Sequence, residues 1–285
     1  MTELRRRMIQ DMRLHGLSEG TQRVYVEAVK HLAQYFNRSP DQLCEQDIRD
    51  FFVHLSQTRR LAKSTLRVHL FGIKFLFRHT LQRPWPVFDL LRVKRDQKLP
   101  VVLSHQEVRQ LLAAIRRPPA RLSAVLMYTC GLRVSEAVGL RPEDIDSRRM
   151  VVAVRSGKGR KDRYVPLPQR TLQLLRDYWR RHRPKSSPRK ACLFPDRSGA
   201  KPISREAVRK CIQAAATDCG ITKTVGCHTL RHCYATHLLE QGLDLRSIQA
   251  LLGHRSIRST MRYLHLTTNT LRNVHRSVNA LTGDL

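Results

Sequence analysis

The stretch LLGHRSIRSTMRYL, residues 251–264, places Tyr263 nine residues after His254 in a segment crowded with arginine. Taken alone it reads as a solvated basic helix with a core tyrosine. A phenol has a reference pKa of about 10, so Tyr263 becomes a nucleophile only where positive groups stabilise its phenolate or a base takes its proton. Three other stretches carry such groups. Arg133, in TCGLRVSEAVGL, follows a helix-ending glycine, and a tight turn there can aim a planar fork that suits two phosphate oxygens. The same residue fits a salt bridge to Glu136 equally well. Lys158, in SGKGRKDR, sits at the tip of an expected β-hairpin, from which it could act as a general acid or pair with a phosphate. That string lacks G-x-x-x-x-G-K-[ST] and joins two strands, which argues against a nucleotide phosphate loop. His228 and Arg231, in HTLRH, stand three apart at a helix start, on one face and beside the free amides of the first turn, a ready anion site. Two arginines, a lysine and two histidines around a phosphodiester can neutralise a pentavalent phosphorane with no metal.

Composition supplies the phosphodiester's source. The 285 residues hold 53 Lys and Arg against 23 Asp and Glu, a formal charge of +30, and such an excess attracts polyanions and gains free energy by counterion release on duplex DNA. The positive residues are spread through segments with helical apolar spacing, so they coat folded elements instead of forming a basic tail. No apolar run reaches membrane-spanning length: LSAVLMYTCGL is broken by Gly131 and followed by Arg133. The charged start MTELRRRMIQDMR has no signal-peptide character, which predicts a cytoplasmic protein without membrane contact.

Metal chemistry has little to build on. Seven dispersed cysteines with no C-x-x-C pair suit reduced thiols. In CHTLRHC, His228 and His232 have zinc-ligand spacing beside Cys227 and Cys233, yet no second ligand pair is evident. Glu143, Asp144 and Asp146 in RPEDID read as a turn into the hairpin, where a metal-dependent nuclease needs clustered carboxylates. The expected metal and cofactor content is none.

These residues need elements to hold them. Residues 1–91 read as four or five helices: Leu4, Met8, Ile9 and Met12 share one face, Tyr25, Ala28, Val29, Leu32 and Phe36 another behind the caps Ser18 and Thr21. Ile48, Phe51, Phe52 and Leu55, then Leu66, Leu70, Ile73 and Phe77, supply two more stripes, with Arg49, Lys63, Arg67, Lys74 and Arg78 opposite. Prolines and charge in RPWPVFDLLRVKRDQKLP predict a connector at residues 92–100. The second domain, 101–285, opens on a Ser104–Glu107 capping box. It continues through a helix over about 119–130, a short one after Arg133, a hairpin from MVVAV and RYVPL, and helices through QRTLQLLRDYWRRH, SREAVRKCIQAAATDCG, HTLRHCYATHLLEQG, DLRSIQALLGH and SIRSTMRYLHL. A last amphipathic helix is expected through TLRNVHRSVNAL, with Leu271, Val274, Val278 and Leu281 on one face. Of the seven tyrosines, Tyr234 is the nearest rival nucleophile, but its neighbours Leu230, Ala235 and Leu238 point to a core position.

Arg133, Lys158, His228, Arg231, His254 in LLGH and Tyr263, in that order and context, resemble the active-site signature of the tyrosine recombinases, the phage integrase family. The likeness covers the second domain, and the first is similar to that family's helical SAM-like core-binding domain. The resemblance implies a mainly α fold with a small β-hairpin or sheet, and a two-domain C-shaped clamp on DNA. It also implies site-specific recombination by metal- and ATP-independent breaking and rejoining. Tyr263 would form a 3′-phosphotyrosyl link, Arg133 and Arg231 would bind non-bridging oxygens, and Lys158 would protonate the 5′-oxygen. His228 would be a general base or a phosphate donor, and His254 a further donor. Implied partners are double-stranded DNA, other protomers in a tetrameric synaptic complex reached by the last helix, and accessory DNA-bending proteins. The reactions open to it are integration or excision of a mobile element and dimer resolution, by Holliday-junction strand exchange. Type IB topoisomerase-like relaxation and non-catalytic DNA binding are the competing readings.

Overall fold

The computed structural model of the chain describes residues 2–91, 93, 100–155, 162–184, 192–199, 201–254 and 256–264. Contacts divide the chain into two compact units, Met1–Lys98 and Leu99–Leu285. The expected hairpin tip with Lys158, the connector apart from residues 93 and 100, and the last amphipathic helix lie outside the described residues.

The first unit is helical: α1 (Glu3–Leu14), α2 (Glu19–Phe36), α3 (Glu45–Val53), α4 (Lys63–Phe75) and the single turn α5 (Val87–Leu90). Ser18 caps α2, its Oγ accepting from the Thr21 N–H at 3.3 Å. Met8, Met12, Leu32, Ile48, Phe51, Leu70 and Ile73 form the core, so each stripe read from apolar spacing turns inward. Both α3 and α4 run on into π-helical turns, His54–Thr58 and Leu76–Thr80.

Helices α2 and α4 cross closely because Gly72 has no side chain. A Cβ there would lie 2.9 Å from Tyr25 Cα and 3.2 Å from Ala28 Cβ. One contact is backbone, which cannot swing aside.

The second unit is built around α7 (Pro118–Thr129), whose residues Ala120 and Leu122 to Met127 are all buried. A helix apolar on every side belongs inside a protein core. It packs against α6 (His105–Ala114), α8 (Val134–Gly139), α9 (Gln169–Arg181), α10 (Arg205–Asp218) and α11 (Cys227–Glu240). The helices α12 (Leu245–Leu252) and α13 (Arg258–Met261) follow. Ser104 and Glu107 form the expected capping box on α6. The chain entering this unit is pinned to α11: Leu103 N–H donates to Cys233 Sγ at 3.2 Å, and Leu103 O pairs with His237 Nε2 at 3.0 Å.

Strands β1 (Ile145–Asp146), β2 (Val151–Val154) and β3 (Arg163–Pro166) form an antiparallel sheet in that order. The hairpin register pairs Val152 with Val165 and Val154 with Arg163. RPEDID does more than lead into the hairpin: after a 3-10 turn at Pro142–Asp144, its last two residues become the edge strand β1. The other departure is at SIRSTMRYLHL, where α13 is one turn long. Its brevity turns Thr260 and Tyr263 back toward the body of the unit, and both are buried.

Replacing Gly72 by Ala improves helix propensity by about 1 kcal/mol, while overpacking against an immovable backbone costs about 1–3 kcal/mol. The net expectation is a loss of about 1 kcal/mol, read as a lower midpoint for the first unit in thermal or urea unfolding of the full chain. An unchanged or raised midpoint would contradict this packing.

Candidate active site

Gly131 ends α7 in the left-handed conformation, φ +62°, and a Cβ there would strike the Tyr234 ring at 2.5 Å. This glycine lets the chain reverse into α8, and Arg133 becomes the residue just before that helix. Glu136, in the first turn of α8, then reaches back. Its carboxylate accepts from Arg133 N–H at 2.8 Å and from Arg133 Nη1 at 2.6 Å. The salt bridge that the sequence allowed as an alternative therefore exists.

That bridge is one arm of a larger cluster. Arg163, on β3, donates Nη1 and Nη2 to the same carboxylate at 3.1 and 2.8 Å, and Arg231 Nη1 stands 3.8 Å from it. The Glu136 side chain is only 6% exposed. Burial raises its pKa, but hydrogen bonds from Arg163 and from Arg133, with their charges, outweigh this and leave it at about 2.

The second half of the cluster is the end of α12. Its last carbonyls have no intrahelical donors, and the helix dipole makes them partly negative. Leu251 O accepts from Arg163 Nε at 3.0 Å, Leu252 O from Arg231 Nη2, and Gly253 O from Arg133 Nη2 at 3.4 Å. Arg231 Nη1 also donates to Gly131 O. Three arginines thus share one carboxylate and one helix end. Arg231 is 4% exposed, and burial together with Arg133 lowers its pKa to about 10, with Glu136 acting in the opposite sense.

The histidines and the tyrosine line this basic floor. His228 lies in the first turn of α11 and borders an open cavity of about 850 Å³ with Ser204, Arg205, Arg209, Gly226 and His232. Desolvation, then Arg231 and Arg133, lower the His228 pKa. His254 follows α12, with Nδ1 2.9 Å from the Thr260 hydroxyl. Burial and the arginines Arg231, Arg133 and Arg262 bring its pKa to about 4.

Tyr263 is 1% exposed. Its hydroxyl stands 2.9 Å from His232 Nδ1. Burial raises its pKa, against the pull of Arg231, Arg262 and Arg133. Tyr234, by contrast, packs with Ile248 and Leu252, and burial pushes its phenol up to about 12.

Five of the six residues singled out by sequence are thus described, and the arginines, His254 and Tyr263 gather around one floor. Three participants were missed in those roles: His232, Arg163 and Thr260. Spacing had marked His232 only as a weak zinc candidate. In the fold its Nδ1 faces Tyr263, and Cys233 Sγ accepts from a backbone amide, so CHTLRHC serves two different neighbourhoods. Arg163 carried no signal beyond being a strand residue.

Replacing Glu136 by Gln leaves buried arginines without their charge partner, a change that costs about 3 kcal/mol and lowers the midpoint of a unit this size by roughly 6–12 °C. The folded pKa of Glu136 lies below its ordinary 4.5, so its contribution is complete above that pH and fades as pH falls toward 2. The gap between wild type and Glu136→Gln in unfolding experiments should narrow over that window. A gap independent of pH would refute the charge-based account.

Residues 101–270 match the Phage integrase family, and residues 4–87 match the Phage integrase N-terminal SAM-like domain. The chain is 43% identical over 270 residues to "Putative integrase/recombinase y4qK" of Sinorhizobium fredii, covering 94% of this chain and 86% of that protein. It is 32% identical over 280 residues to the tyrosine recombinase XerD of Oceanobacillus iheyensis, covering 92% and 93%. A solved structure of the Tn1549 transposon integrase in complex with circular intermediate DNA shares the fold, with a TM-score of 0.73 at 19% identity over 96% of this chain and 99% of that one. No helix among the described residues is long and apolar enough to cross a membrane. With an integrase match across the second unit and a full-length likeness to XerD, the chain belongs to the phage integrase family and is a tyrosine-type site-specific recombinase.

Proposed function

We propose that the chain cuts and rejoins duplex DNA at specific sites through a 3′-phosphotyrosyl intermediate, exchanging strands by way of a Holliday junction. The observation that carries this reading is that Tyr263 packs in one buried cluster with Leu252, whose carbonyl holds Arg231, while a single carboxylate holds Arg133 and the charges of both arginines act on the Tyr263 phenol. Tyr263 Oη attacks the scissile phosphorus, and the 5′-oxygen leaves. Arg133 and Arg231 hold the non-bridging oxygens where negative charge builds up. Lys158 donates the proton to the leaving 5′-oxygen. His228 and His254 donate hydrogen bonds to the phosphorane, the latter oriented by Thr260. The phosphotyrosyl ester conserves the energy of the broken bond, so rejoining requires neither ATP nor a metal.

The formal charge of +30 supports double-stranded DNA as the partner. On this reading the protein works in the cytoplasm as a tetramer on two sites, helped where needed by DNA-bending proteins. It integrates or excises a mobile element, or resolves dimers of a circular molecule. The amphipathic segment after Thr268 docks on a neighbouring protomer and couples the active sites.

A nicked duplex carrying the site, incubated with protein in EDTA and run on a denaturing gel, tests the chemistry. The expected result is a covalent adduct that Tyr263→Phe abolishes while leaving DNA affinity unchanged. Arg231→Ala slows its formation by about 10³- to 10⁵-fold. A band that survives Tyr263→Phe moves the nucleophile elsewhere, and relaxation of plasmid lacking any site points to a topoisomerase. Truncation after Thr268 should preserve DNA binding and abolish recombination; undiminished recombination would refute docking by that segment.

A further inference from the structure

The reading above leaves one proton unassigned. As Tyr263 Oη bonds to phosphorus, its phenolic proton must go to a neighbouring group. Lys158 is assigned to the leaving oxygen, and His228, which the resemblance allows as either a general base or a phosphate donor, is the competing candidate. Among the described residues no hydrogen bond joins His228 to the phenol, whereas His232, one helical turn further along α11, meets it: Nδ1 to Oη is 2.9 Å, with the two rings 5.7 Å apart at 54°.

We propose that His232 is the proton acceptor for the nucleophile, its Nδ1 taking the phenolic proton of Tyr263 during cleavage and returning it during rejoining. This rests on the recombinase function proposed above. The step balances: the Oη–P bond forms as the O–H bond breaks toward His232, and the P–O5′ bond breaks as the general acid protonates the 5′-oxygen. In the reverse direction His232 re-protonates the departing phenol.

The surroundings suit a base that is silent until DNA arrives. The groups facing the pair are His228 and Arg231 from α11, Arg133 ahead of α8, His254 after α12 and Arg262 after α13. Burial first, then His228, Arg262 and Arg231, bring the His232 pKa to about 4, so the ring is neutral at neutral pH. With its proton on Nε2, a neutral ring presents the Nδ1 lone pair to the phenol. An incoming phosphodiester brings negative charge to the arginines that depress His232, which raises the basicity of the ring when the proton must move. Tyr263 is buried meanwhile and cannot react with solvent.

The test uses the full chain and the nicked duplex at saturating concentration, following the first-order rate of adduct formation. His232→Asn keeps a polar side chain but cannot take up a proton at neutral pH. The expected result is a rate about 10²- to 10⁴-fold lower, with an unchanged half-saturating DNA concentration and a rate that climbs with pH. Placing a ring-fluorinated, more acidic tyrosine at position 263 should restore His232→Asn by about tenfold or more and change the wild type little. If His232→Asn fails to fold by thermal unfolding, His232→Gln takes its place. A variant within about threefold of wild type, or a slow variant that neither fluorination nor rising pH accelerates, would overturn the assignment, the second by reducing His232 to a packing contact. Adduct formation by wild type through Tyr263 keeps the recombinase reading standing in either case; no adduct from wild type would overturn both.

Discussion

Everything at this site hangs on how three arginines are kept side by side without their substrate. Arg133, Arg163 and Arg231 come from the N-terminal end of α8, from β3 and from α11, and like charges so close would push the elements apart. Glu136 supplies one full negative charge. The end of α12 supplies three carbonyls, each taken by a different arginine. The arrangement is a buried ion cluster, and such clusters do more for geometry than for net stability. One carboxylate cannot neutralise three guanidinium groups, so the site retains excess positive charge. On the proposed function, a phosphodiester completes it.

The same economy bears on Tyr263, the proposed nucleophile. Burial raises the pKa of Tyr263 against the pull of Arg231, Arg262 and Arg133, and two of these, Arg231 and Arg133, are engaged by Glu136 and the α12 carbonyls. Substrate phosphate would redistribute those contacts. On the proposed function, activation then depends on the correct substrate, because the groups assigned to bind phosphate are the same ones whose charge acidifies the phenol. A free tyrosinate, by contrast, would be open to side reactions.

Much of this was legible in the amino-acid order, and the limits have physical causes. Helical stripes such as Met8–Met12 and Ile48–Phe51–Leu55 follow from a period of 3.6, and the hairpin from two β-rich runs about a turn. Six candidate site residues could be proposed from their order and context, and five of them are described. Contacts between distant elements were not legible: Arg163 meets Glu136 across 27 positions, and His232 meets Tyr263 across 31. No local pattern encodes such a pairing. The edge strand β1 has two residues, too short to show alternation, and α13 is too short to show a helical face.

Two buried tyrosines sit close to the same arginine, and their fates differ for a reason the fold makes plain. Tyr234 lies on α11 with its ring against Gly131, among Ile248 and Leu252, and serves as a wall that positions the carbonyl holding Arg231. Its burial pushes the phenol up to about 12 against the pull of Arg231 and Arg163. Tyr263 is the more deeply buried of the two, so exposure does not select the nucleophile. What differs is its company. Its hydroxyl meets an imidazole, and Arg231, Arg262 and Arg133 all pull its pKa down. A segment that follows a single helical turn can also shift with less disruption than a ring locked inside a fourteen-residue helix.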